Sequence, residues 1–120
     1  MSTVLSSAVS INDVSYRVVP TSNLAQLKAA VSQRPVSVAI DGMNLRFQMI
    51  GKDTVVDETF PCSSTSPNLA VTIVGYDSET WLVQNSWGTL WGNQGYFRVK
   101  MSDGPGVCGI NLYGVYPALI

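Results

Sequence analysis

The 120-residue sequence contains no histidine. That absence removes the commonest general base and the commonest metal ligand together. Charge is scarce as well: 12% of residues are charged and the net charge is -1. The seven basic residues, Arg17, Lys28, Arg34, Arg46, Lys52, Arg98 and Lys100, are spread along the chain, which argues against a nucleic-acid or anionic-membrane surface. Apolar stretches such as Val36 to Ile40 fall far short of the roughly 20 residues needed to cross a bilayer. The serine-rich start, Met1 to Ile11, lacks the basic and then apolar pattern of a secretory signal. Gly75, Gly88, Gly92 and Gly95 lack the Gly-Lys-Ser/Thr ending of a phosphate loop. Two distant cysteines and scattered acids supply no metal-ligand spacing. Neither a cofactor nor a metal is expected.

A hydrophobic content of 46% in 120 residues suffices for one domain with one core. Asn23 and Gln26 are placed like a helix cap and its reciprocal partner, and Leu24, Leu27 and Val31 recur on one face. Together they predict a helix over 23–33, stopped by Arg34 ahead of Pro35. Val36, Val38 and Ile40 alternate as in a strand, and 70–76, 80–84 and 96–100 are β-branched and aromatic runs of strand length. A further strand is expected over 111–116, interrupted by Gly114. The stretch 44–67 has a weak pattern, with a turn at Gly51 to Asp53 and a surface loop at Ser63 to Pro67. The chain reads as mainly β with one conspicuous helix.

Few chemical constellations emerge. Asp57 and Glu58 are adjacent, so on a strand they would point to opposite faces and share no proton; a solvated loop fits them. A lysine-activated serine lacks support, because Lys28 falls on the polar face of the predicted helix and no nucleophile elbow marks any serine. Cys62 and Cys108 fit either a long-loop disulfide or two buried thiols by spacing alone. The segment NSWGTLWGNQG, Asn85 to Gly95, sets two tryptophans four residues apart, each followed by glycine. It reads as a core-forming loop, with a binding loop as the alternative.

That segment, continued as NSWGTLWGNQGYFRVK, resembles the asparagine block of papain-like cysteine proteases of the papain and cathepsin L type. NLAVTIVGYD resembles the family's histidine block, VSYRVVPTSNLAQLKAAVSQRPVSVAID the opening of its right-hand domain, and GVCGINLYGVYPALI its C-terminus. The resemblance runs from Val14 to Ile120 and leaves residues 1–13 as an N-terminal segment. It implies an α+β, mainly β fold: a twisted antiparallel β-barrel with one short helix. It also implies that Cys62 and Cys108 are joined, which favours an extracellular, vacuolar, lysosomal or other oxidising setting.

In that family a thiolate on the left-hand domain attacks the scissile carbonyl, a right-hand histidine serves as its base, and an asparagine orients the histidine. The resemblance aligns Asn85 with the asparagine and Trp87 with the neighbouring indole. It aligns Leu69 with the histidine, and a leucine moves no proton. The nucleophile's domain has no counterpart among these residues. The expectation is a catalytically inactive, pseudoprotease domain that acts through protein contacts at the former interdomain face, as a structural or self-associating subunit. The alternatives are half of an endopeptidase completed by a separate left-hand chain, and a decoy or inhibitor of an active relative.

Overall fold

The computed structural model describes residues 14–119. Seven strands form one sheet: β1 (Val14–Val18), β2 (Val36–Ile40), β3 (Val55–Val56), β4 (Leu69–Tyr76), β5 (Thr80–Gln84), β6 (Tyr96–Lys100) and β7 (Val115–Leu119). Their order is β1-β7-β2-β4-β5-β6-β3. The sheet is therefore not the closed barrel expected, because β1 and β3 stand at opposite edges instead of pairing. Nor is it wholly antiparallel, since the two-residue β3 runs parallel to β6. The mainly β, α+β class holds. The expected N-terminal segment 1–13 lies outside the described residues.

Strand alternation builds the core. In β2, Val36, Val38 and Ile40 are buried while Ser37 is exposed, and Val71 and Ile73 of β4 face the same interior. Trp81 and Val83 of β5 with Phe97 and Val99 of β6 continue that face. Helix α1 (Leu24–Val31) covers the sheet with Leu27 and Val31. Asn23 caps it by accepting a hydrogen bond from Gln26 N at 3.0 Å, which satisfies one of the first-turn donors. The helix is shorter than the 23–33 expected: Ser32 is its C-cap, and Gln33 and Arg34 both turn their N–H groups onto Ala30 O. The Lys28 ammonium lies 5.6 Å from the centre of the Tyr76 ring, so it is not simply on a free polar face.

Three elements escaped the sequence pattern, the two-residue β3 among them. Strand β1 precedes the first predicted element and pairs with β7 through five residue pairs. Helix α2 (Leu45–Gln48) forms in the weak stretch, capped by Asn44 accepting from Phe47 N at 2.8 Å. The expected strand at 111–116 begins only at Val115, because Asn111 is committed to a turn. Its buried amide donates to Ser102 O at 2.8 Å and Gly104 O at 3.0 Å.

Candidate functional site

Leu69 opens β4 opposite Ile40. Asn85 follows the last residue of β5, and its backbone N–H donates to Gly95 O at 3.0 Å. Since Thr72 pairs with Gln84, one step further sets Asn85 level with Val71, two residues along the same sheet face from Leu69. Leu69 also lies over Gly42: a Cβ on that glycine would sit 2.7 Å from Leu69 Cδ2 and 3.3 Å from Phe47 Cε2. Phe47 in turn meets Trp87 edge-on, with ring centres 5.7 Å apart. The fold thus gathers Leu69, Asn85 and Trp87 at one end of the sheet.

Phe47, which the sequence pattern did not single out, centres this end. Its fully buried ring stacks on Trp91 at 5.4 Å and meets Phe97 at 5.0 Å and Phe60 at 6.2 Å. The Trp91 indole N–H donates to Phe47 O at 3.2 Å, pinning the tryptophan loop to α2. NSWGTLWGNQG is therefore a core-forming loop, as expected, and Gly92 explains part of its sequence. Gly92 has φ +59°, and a Cβ there would come within 2.6 Å of Tyr96 O. The findable signal for Phe47 was Asn44, a capping residue three positions earlier.

Most polar groups at this end are hydrogen-bonded, with one exception. Asn85 is 6% exposed; its Oδ1 accepts from Ser86 N at 2.7 Å, and its Nδ2 has no partner among the described residues. Asp41 spends its carboxylate on Ser63 N and on the Asn68 amide, each at 2.7 Å. Asn68 Oδ1 accepts from Gly42 N and Met43 N, each at 2.9 Å.

Three ionisable groups on the exposed surface are perturbed. Hydrogen bonds from the Thr59 hydroxyl and then its N–H lower the Asp57 carboxyl pKa. The N–H groups of Glu79 and Thr80 do the same for Asp77, and Glu58 raises the Lys100 pKa. None of these bonds involves Leu69, Asn85 or Trp87. Asp57 and Glu58 share no proton: one turns onto Thr59, the other onto Lys100 at 3.0 Å. Among the described residues, no three Cys, Asp or Glu side chains cluster to hold a metal ion, and no helix is long and apolar enough to cross a membrane.

Cys62 and Cys108 are joined in a disulfide with Cα atoms 5.3 Å apart, so the implied pairing forms. Around α2 the surface turns apolar: Met43, Leu45 and Met49 are well exposed, and Leu90, in the tryptophan loop, is fully exposed.

A family model described as Papain family cysteine protease matches residues 3–118. Zingipain-2 of Zingiber officinale is 39% identical across 97% of this chain and 52% of its own length. Probable cysteine protease RDL6 of Arabidopsis thaliana is 38% identical across 86% of this chain and 30% of its own. Among solved structures, bromelain protease from Ananas comosus in complex with the E64 inhibitor superposes with a TM-score of 0.75 at 38% identity, over 88% of this chain and 50% of that one. The chain spans about half or less of the length of these relatives.

Proposed function

Because this chain belongs to the papain family of cysteine proteases, we propose that it is a catalytically inactive member that acts through protein contacts, as a structural or self-associating subunit. One observation carries the proposal: Leu69 stands where the resemblance puts the family's histidine, in a sequence without any histidine. A thiolate nucleophile needs a neighbouring base to activate it and later to protonate the leaving amine. Removing one member of such a coupled unit costs several orders of magnitude in rate. Beside Leu69, Asp41 is held by Ser63 and Asn68, and Asn85 is an amide, which takes up no proton near neutral pH.

The contact role is supported by the exposed apolar side chains Met43, Leu45, Met49 and Leu90, since apolar patches on a protein surface mark interaction sites. Their flank of α2 adjoins the former catalytic end, which is where a left-hand domain would lie. The Cys62–Cys108 bond supports an extracellular, vacuolar, lysosomal or other oxidising compartment.

Two measurements on the purified chain test the proposal. Light scattering should give the mass of an oligomer or of a stoichiometric complex, and a fluorogenic peptide substrate should not be turned over. Turnover abolished by an epoxide thiol-protease inhibitor would overturn the loss of catalysis. A stable monomer without partner would overturn the contact role. Labelling of a second chain by that epoxide in native extract would favour instead an enzyme assembled from two chains.

A further inference from the structure

We propose that the Cys62–Cys108 disulfide is a redox latch on a surface strap: its reduction releases residues 57–67 while the sheet stays folded. These residues join β3 to β4 without helix or strand, and none of them is buried. Their opposite anchor is the reverse, since Val107 to Asn111 are all buried. The bond therefore ties an unburied segment to a turn that the core already holds. Once it is cut, the two sides differ in what keeps them in place.

Little else fastens the middle of the strap. Ser63 N donates to Asp41 at 2.7 Å, the Phe60 ring meets Phe47 edge-on, and Glu58 pairs with Lys100 on the surface. Exposed ion pairs contribute little, and ordering the strap costs conformational entropy at each residue. The Asn68 bonds to Gly42, Met43 and Asp41 lie at the end of the strap and hold β4 whether or not the disulfide is present. A Cβ on Gly109 would come within 2.8 Å of Ser64 O, so the strap lies directly over the turn without side chains interlocking there.

The bond is also reachable. A surface cleft between strap and turn is lined by Glu58, Phe60, Ser64, Gly106 and both cysteines. Cys108 has φ +56°, a left-handed conformation that L residues other than glycine and asparagine seldom take. Reduction frees that residue from its covalent tether. The reductant is a dithiol. Its thiolate attacks Sγ of the partly buried Cys62 and expels Cys108 as thiolate; its second thiol then resolves the mixed disulfide and releases Cys62. The dithiol leaves as a cyclic or protein disulfide, and both cysteines take up protons.

The test is hydrogen exchange followed by mass spectrometry on the whole chain at 15 °C, with dithiothreitol and no denaturant, with thiols counted in parallel. Two thiols should appear. The hydrogen-bonded amides of Thr59, Phe60, Ser63 and Thr65 should exchange at least about tenfold faster, while β2, β4 and β5 keep their protection, and oxidised dithiothreitol should restore the strap. The Cys62→Ser variant should show the same exchange pattern without reductant. Failure of the thiols to appear would refute the accessible bond. Unchanged exchange in the reduced strap, or loss of protection across the sheet in both reduced protein and variant, would refute the latch.

Discussion

Replacing Phe47 by alanine should destabilise the chain by about 4–5 kcal/mol. The ring is fully buried, and truncating such a phenylalanine costs about 3–5 kcal/mol in lost transfer energy and residual cavity. The upper part of that range applies because four aromatic partners surround it, with ring centres from 5.0 to 6.2 Å away. Each well-oriented pair contributes about 0.5–1.5 kcal/mol beyond burial. Phe47→Leu keeps most of the volume and should cost about 2 kcal/mol. Urea unfolding followed by tryptophan fluorescence and far-UV circular dichroism reads the effect. With a slope of about 2 kcal/mol/M, the midpoint of the alanine variant should fall by about 2 M and that of the leucine variant by about 1 M. A fall under about 0.5 M in the alanine variant would refute the placement of Phe47 at the centre of this cluster. The fluorescence spectrum adds a local readout, because Trp87 and Trp91 both lie against the missing ring.

Gly42→Ala should cost about 1–3 kcal/mol by overpacking, since its Cβ would meet Leu69 Cδ2 at 2.7 Å; combining it with Leu69→Ala should recover at least about 0.5 kcal/mol relative to additivity in a double-mutant cycle, and strict additivity would contradict the contact. Asn111→Ala removes two amide bonds to backbone carbonyls and should lower stability by about 2 kcal/mol, with faster amide exchange through residues 102–106 as its local signature. The Asp77 carboxyl titrates below its ordinary value of 3.8, chiefly through N–H groups of Glu79 and Thr80. Its folded pKa being depressed, the stability it contributes is complete above about pH 4 and declines as pH falls through the folded value. Asp77→Asn should flatten the acid limb of stability against pH, and an unchanged limb would contradict the turn's role.

The sequence reveals most where one periodicity ran uninterrupted. Strands β2, β4, β5 and β6 alternate apolar and smaller or polar residues, and their bounds follow within a residue. Helix α1 was visible from Asn23 and from Leu27 and Val31, though Ser32 to Arg34 curl into a turn before the proline. Helix α2 is a single turn, too short for a period to show, and β3 has two residues, so only the Asn44 cap and the later aromatic contacts identify that region. Strand β1 did carry a local trace, Val14, Tyr16 and Val18 alternating with Ser15 and Arg17, but its partner β7 comes from about a hundred residues away. At the candidate site, Leu69, Asn85 and Trp87 were singled out through the family resemblance. Gly42, Phe47 and Asn68, which hold them in place, act through packing and hydrogen bonds between segments 20 or more residues apart and left no pattern to read.

The pairing of β1 with β7 bears on how the chain assembles. Val14 sits opposite Leu119 and Val18 opposite Val115, so each rung closes a loop of about a hundred residues, against fewer than ten for the turn between β4 and β5. Closing such loops exacts entropy before any contact rewards it, and sheets dominated by distant partners fold slowly. The hairpin of β4 and β5 can form early, whereas the β1–β7 clasp must await the strands between. β1 joins the sheet only through β7 and carries exposed Tyr16 and Val18. It is the last rung in and the first out, and a ribosome still making β7 would hold a nascent chain whose sheet lacks its outermost two strands.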